Sequence, residues 1–271
     1  MNKQVPILIE SHLLHSQLGN SDLLIVNLCD SDDFKNQRIP GSIHIHSAEV
    51  YGGKKPTPGL VPSNERLQKL TSRLGLRNNL QVVAYDDEGG GHASRLVWTL
   101  YLLTHRCASV LNGGIQAWLQ DGLPTVENDS IAETPKYINI DVDRTVVATQ
   151  NYIKARLGAP DLALLDARTW EEYQGSRVLA RRGGHIPGAV NLNWVDSMDP
   201  DNSLRLKPKR ELKSILSERR ITPDREVIVY CQTHHRSAHS WMMLRHLGYP
   251  RVRGYAGSWS EWGNDPETPI E

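Results

Sequence analysis

Seven consecutive residues, Cys231-Gln232-Thr233-His234-His235-Arg236-Ser237, hold the most nucleophilic side chain in the sequence together with groups able to activate it. They follow the β-branched apolar run Glu226-Val-Ile-Val-Tyr230 and lead into a stretch with helical apolar spacing, Trp241, Met242 and Leu244 to Leu247. A thiol one residue past a buried strand, in a short loop feeding a helix, sits where backbone N–H groups and the positive end of the helix dipole converge. Its pKa should fall from about 8.5 toward or below neutrality, with Arg236 and either histidine, when protonated, adding to the field. The chemistry implied is nucleophilic. Cys231 is the candidate catalytic residue, and Gln232, Thr233, His234, His235, Arg236 and Ser237 form a candidate anion-binding loop. Arg168 is a candidate substrate contact, and Trp194 reads equally as a substrate contact or as packing between the domains. A thiolate and two imidazoles would suit zinc, but adjacent histidines diverge, a fourth ligand is missing nearby, and coordination would block the nucleophile. No metal is expected.

The elements that must position this loop occur twice. Asp22 to Phe34 aligns with Asp161 to Tyr173, and Arg38-Ile-Pro-Gly41 with His185-Ile-Pro-Gly188; between them the second copy is eight residues longer, mostly basic or small. Gln81-Val-Val-Ala-Tyr85 matches Glu226 to Tyr230, and each run is the kind found in interior parallel strands. The helix pattern Leu96, Val97, Leu100, Leu103 matches that after Cys231, and Leu111 to Trp118 matches Tyr255 to Trp262. Ser63 to Leu74 reads as a helix with Ser63 as cap and Gly75 as stop, and Lys209 to Arg219 is its partner. Strand and helix alternate throughout, which predicts an α/β fold: two tandem domains, each a parallel sheet flanked by helices, with ligands at the carboxyl ends of strands. The boundaries read as 1–126, a polar connector 127–143 and 144–271.

At the position of the cysteine loop the first copy has Asp86-Asp-Glu-Gly-Gly-Gly-His92, whose carboxylates would repel an anion. Gly89 to Gly91 lack the lysine and Ser/Thr of a phosphate loop. Cys29 and Cys107 have no such loop and read as structural, and His185 and Arg38 as anchors of the Ile-Pro-Gly turns. The chain has 271 residues with 31 basic and 31 acidic side chains. Zero net charge argues against a nucleic-acid partner, and no apolar run approaches the roughly 20 residues of a membrane span. Three widely spaced cysteines and no readable secretory signal point to a reducing cytoplasm.

The tandem repeat, the paired Ile-Pro-Gly motifs, the loop opening with Cys231 and the segment Tyr255-Ala-Gly-Ser-Trp resemble the two-domain rhodaneses, or thiosulfate sulfurtransferases, across nearly the whole chain. The loop CQTHHRS is similar to that of a bacterial subgroup. The resemblance implies tandem rhodanese-like domains, the first inactive, and a sulfur shuttle. In it, Cys231 takes the outer sulfur of a small anionic donor as a persulfide and passes it to a thiophilic acceptor such as cyanide, with no further cofactor. Where the family has a substrate-binding arginine, this chain has Glu172. Two rival readings remain at this stage: a cysteine-dependent phosphatase of similar fold, and a non-catalytic docking module. The phosphatase signature places five residues between cysteine and arginine, whereas four separate Cys231 from Arg236, which narrows the ring of donors below what a tetrahedral phosphate needs.

Overall fold

A computed structural model describes residues 5–30, 37–127 and 142–271. Phe34, one of the aromatics in the repeat alignment, and most of the predicted connector lie outside the described residues.

The first half contains β1 (Leu8–Ile9), α1 (Ser11–His15), β2 (Leu23–Asn27), β3 (Ser42–His44), α2 (Asn64–Arg73), β4 (Gln81–Tyr85), α3 (Gly91–Leu102), β5 (Ala108–Leu111) and α4 (Gly114–Gln120). The second contains β6 (Val147–Ala148), α5 (Gln150–Arg156), β7 (Leu162–Asp166), α6 (Trp170–Gln174), β8 (Ala189–Asn191), the short strands β9 (Met198–Asp199) and β10 (Arg205–Leu206), α7 (Lys209–Glu218), β11 (Glu226–Tyr230), α8 (Arg236–His246), β12 (Val252–Tyr255) and α9 (Ser258–Trp262). Each half builds a five-stranded sheet of the same order, β1-β5-β4-β2-β3 and β6-β12-β11-β7-β8. Every pairing in both sheets is parallel.

The central strands β4 and β11 are buried almost to the last residue, as continuous Val, Ile and Ala runs require when helices cover both faces of a sheet. The helices that follow them, α3 and α8, are buried nearly all round, so their apolar residues do not keep to one stripe. By contrast α2 is amphipathic, buries Leu67 and Leu70, and is capped by the Ser63 hydroxyl, which accepts from Arg66 N.

Both Ile-Pro-Gly turns are fixed by the same device. The tyrosine that ends the central strand accepts a hydrogen bond through its hydroxyl from the turn, Ile39 N to Tyr85 at 3.2 Å and Ile186 N to Tyr230 at 3.2 Å. His185 is an anchor as expected, its Nδ1 lying 3.0 Å from the Tyr173 carbonyl and its ring stacked on Tyr173 at 3.7 Å. Arg38 bridges through its backbone to Val126.

Two compact units result, and neither is one contiguous stretch of chain. One comprises residues 1–51, 62–143 and 199–206; the other comprises 52–61, 144–198 and 207–271. The exchanged segments are equivalent in the repeat, since Gly52 follows Ile39 by 13 positions and Asp199 follows Ile186 by 13. The sequence reading, with its contiguous boundaries, contains no such exchange.

Candidate active site

The end of β11 delivers Cys231 into the start of α8, and the main chain of Cys231 is held at both of its polar groups. Its N–H donates to Ser258 Oγ at 3.2 Å, while its carbonyl accepts from Trp259 N at 2.9 Å. Ser258 donates its own hydroxyl proton to the Tyr255 carbonyl at 2.8 Å. This serine has φ +51, a left-handed conformation that costs a non-glycine residue about 1 kcal/mol. At the equivalent place in the first half stands Gly114, also left-handed. A side chain is carried at this strained position in the second half because its hydroxyl holds the Cys231 amide.

The thiol is fully buried. Sγ accepts from His234 N at 3.1 Å, and His234 reaches that orientation through a left-handed turn of its own, φ +62. Burial pushes the Cys231 thiol up. The Arg236 charge, the Ser237 hydroxyl and the N–H groups of Ser237 and Thr233 outweigh it and bring the thiol below its ordinary range. The ring Nδ1 of His234 lies 2.7 Å from Ser237 Oγ. A hydroxyl carries one proton, so when Ser237 gives it to Sγ, Nδ1 must be the protonated ring nitrogen that donates to Ser237. The thiolate is thus surrounded by donors from the loop and the first turn of α8.

Arg236 is present for its charge more than for its fork. Nη1 and Nη2 donate to the two Glu172 oxygens at 2.6 and 2.9 Å, and Glu172 also closes a capping box with Thr169 at the start of α6. The guanidinium is therefore already paired edge-on with a carboxylate, which corrects the expectation that Arg236 binds the anion directly. Arg168 is corrected more strongly. It is 1% exposed, its Nε and Nη2 donate to Asp166 at 2.6 to 3.0 Å, Nη2 also donates to the Gly184 carbonyl, and its guanidinium lies 4.4 Å above the Trp259 ring. A substrate cannot reach it. It ties β7 to the Gly-rich end of the insertion.

Other expected residues gather at the rim. Thr233 Oγ1 lies 3.3 Å from His235 Nδ1, and Gln232 Nε2 donates to the Leu179 carbonyl at 3.0 Å. Trp194 is half-buried, edge-on to His239 at 5.4 Å, so it packs against α8. The sequence reading missed Glu172 as a partner, Ser258 as a clamp, and the segment Gly52–Val61 altogether. That segment packs in the same unit as Cys231. Gly59 lies so close to the Thr233 and Ala256 carbonyls that no Cβ fits, and Thr57 Oγ1 donates to the Ser260 carbonyl at 3.2 Å. The one signal for it in the sequence is the density of proline and glycine in Pro56-Thr-Pro-Gly59.

The first half uses the same cradle differently. Asp86 stands at the Cys231 position, and its carboxylate accepts from Glu88 N at 3.1 Å, Gly90 N at 2.7 Å and Ala93 N at 2.9 Å. The expectation that this loop repels anions is refined: the loop is an anion cradle filled by its own side chain. Cys29, at the position equivalent to Arg168, is buried beside it. Burial, then the charges of Asp87 and Asp86, push its thiol far up, so it stays protonated.

Comparison with known proteins accords with this geometry. The family model for the rhodanese-like domain matches the chain twice, over residues 11–121 and 149–265. The chain is 42% identical to a thiosulfate sulfurtransferase of Pseudomonas aeruginosa over 267 residues, covering 98% of this chain and 97% of the relative. It is 42% identical over 268 residues to the thiosulfate sulfurtransferase of Azotobacter vinelandii, with the same coverage of each chain. A solved structure of the anaerobic ergothioneine biosynthesis enzyme from Chlorobium limicola superposes with a TM-score of 0.86 at 21% identity, over 100% of this chain and 71% of that one, a likeness of fold alone.

Proposed function

From the premise that the chain belongs to the rhodanese-like family, carrying that domain in both halves, we propose that Cys231 is the sulfur carrier of a thiosulfate sulfurtransferase. The activity rests on 42% identity over nearly the full length to thiosulfate sulfurtransferases. The observation that carries the assignment of the residue is the convergence of N–H and hydroxyl donors on a buried Sγ whose pKa is lowered.

In the first half-reaction the Cys231 thiolate attacks the outer sulfur of thiosulfate. The S–S bond of the donor breaks, sulfite leaves with its electron pair, and Cys231 holds the sulfur as a persulfide. In the second, cyanide attacks that outer sulfur, thiocyanate departs, and the electron pair returns to Sγ. No oxidant or proton donor is consumed and no cofactor beyond the persulfide is called for. The loop's part is to stabilise negative charge on sulfur before and after transfer, with Arg236 supplying field while Glu172 fixes its place. Phosphate hydrolysis would need that guanidinium fork open to the oxyanion, and it is closed on Glu172.

The donor is a small anion and the acceptor a thiophile. Three free cysteines support a reducing, cytoplasmic setting, and among the described residues no helix is long and apolar enough to cross a membrane. Intact mass spectrometry tests the reading. Thiosulfate should add one sulfur atom to the protein and cyanide should remove it, while Cys231→Ser should show neither change. Sulfur transfer surviving in Cys231→Ser would overturn the assignment.

A further inference from the structure

The eight-residue insertion that distinguishes the second copy is tied to the active-site loop and yet presents apolar side chains to water. Its ends are firmly held. Arg177 N donates to the Glu171 carbonyl, Arg181 N to Asn264 Oδ1 at 3.0 Å, and Arg182 spends its guanidinium on Thr268 and on the carbonyls of Trp262 and Asp265. Between these anchors Val178 and Leu179 are 51% and 47% exposed, and Trp170, at the start of α6, is 52% exposed. The tip is not remote from the chemistry, because the Leu179 carbonyl accepts the side chain of Gln232, the residue after Cys231.

Apolar side chains on a pinned loop differ from scattered surface leucines, since the anchoring maintains a shape for something to meet. The flanks specify its charge. From Tyr173 to Gly184 the chain has three arginines and no carboxylate. With Arg182 turned inward, Arg177 and Arg181 remain exposed beside the apolar tip, and Glu171 is the acidic side chain that feels Arg177.

Building on the sulfur-transfer reading, we propose that the insertion Arg177–Arg181 is a docking surface for an acidic segment of another protein that carries the accepting thiol beside an apolar side chain. The apolar residue of that segment packs on Val178 and Leu179, its carboxylates meet Arg177 and Arg181, and its cysteine lies next to Gln232. The acceptor thiolate attacks the outer sulfur of the protonated Cys231 persulfide. The Sγ–S bond breaks, its electron pair returns to Sγ as thiolate, and the partner leaves as a persulfide with the proton. Sulfur changes carrier with no net oxidation.

The test uses the full chain loaded with thiosulfate and three acceptors: cyanide, a synthetic peptide with one cysteine flanked by leucine and glutamates, and the same peptide with lysines replacing the glutamates. Val178→Ser/Leu179→Ser should lower kcat/KM for the acidic peptide by roughly tenfold. Arg177→Glu/Arg181→Glu should do the same at low salt, with less effect at high salt, and should improve use of the lysine peptide. Thiocyanate formation should stay within about twofold of the parent in both variants, which also reports an intact fold. If thiocyanate forms normally but all proteins use both peptides alike, the docking surface is overturned while sulfur transfer stands. Binding of phosphatidylglycerol vesicles through these residues, with peptide transfer unaffected, would assign the surface to a membrane and overturn it too. If the parent makes no thiocyanate, the sulfur-transfer reading itself fails and the docking surface goes with it.

Discussion

The loops after β4 and β11 are two occupancies of one cradle. In the first half the Asp86 carboxylate collects backbone donors from Glu88, Gly90 and Ala93; in the second the Cys231 thiol collects them from Thr233, His234 and Ser237. Around each anion the neighbours are matched to it. Near Asp86 lies the protonated Cys29, with no arginine at that position; Cys231 feels Arg236, which is paired with Glu172, while the arginine at the Cys29 position, Arg168, is paired with Asp166. The cradle alone does not make a nucleophile. A carboxylate fills it permanently and contributes structure, while a thiolate fills it with an atom that can still form a bond.

Exchanging the two occupants should have the largest effect. Cys231→Asp should fold, because the first half shows a carboxylate satisfied in this cradle, and should lose sulfur transfer entirely; circular dichroism and thiosulfate:cyanide assay measure the two outcomes. The reverse exchange, Asp86→Cys, should create no second site. Its thiol would lie beside Asp87 and Glu88, which hold it protonated, so alkylation at neutral pH should remain far slower than at Cys231.

Removing the field should cost less than removing the sulfur. Arg236→Ala deletes a full charge that acts on the thiolate through space, so kcat/KM for thiosulfate should drop about ten- to a hundred-fold, equivalent to about 1.4–2.7 kcal/mol. It also leaves Glu172, 2% exposed, without its partner, at a stability cost of about 3 kcal/mol that urea unfolding would register. Arg236→Lys should restore activity only in part, since an ammonium cannot engage both carboxylate oxygens. Equal activity in Arg236→Ala and the parent would place the controlling charge elsewhere.

A smaller effect is expected from making the second half resemble the first at the clamp. Ser258→Gly relieves a strained residue but frees the Cys231 amide, so thermal stability should change little while turnover falls several-fold. A stability gain with full activity would remove the clamp from the site. The smallest change is in pH dependence. The thiolate is the reactive form and its pKa is lowered, so the fall in Cys231 alkylation with decreasing pH should come at a lower pH than for an ordinary thiol. Ser237→Ala removes one stabilising donor, so the fall should occur at higher pH. An unmoved profile would show that the backbone donors suffice.

Much of this was legible in the sequence because repeats and periodicity are local signals. Val82 to Tyr85 and Val227 to Tyr230 announce buried strands, Ser63 announces a cap, and Cys231 after a strand announces an anion cradle. What escaped depends on which side chains meet after folding. An arginine reads the same whether it faces solute or a carboxylate sixty-four positions earlier, so the pairing of Arg236 with Glu172 and the sealing of Arg168 against Asp166 and Trp259 were invisible. The Asp86 loop looked repulsive because its charges are obvious in sequence and its backbone donors are not. Ser258 gave no sign of its left-handed backbone, since that conformation is signalled by glycine and a serine hides it.

The complete burial of Cys231 has a bearing on survival as well as on rate. A thiolate with lowered pKa is the form most easily driven up the oxidation ladder by peroxide, and because the resting Sγ has no exposed surface, donor and oxidant alike reach it only when its surroundings open. Once the site is loaded, Sγ is bonded to the transferred sulfur through an S–S bond of about 2 Å, and the terminal atom is the one destined to leave. An oxidant that arrives at the loaded site therefore meets borrowed sulfur first, so occupancy by cargo shields Sγ in a way that burial alone does not.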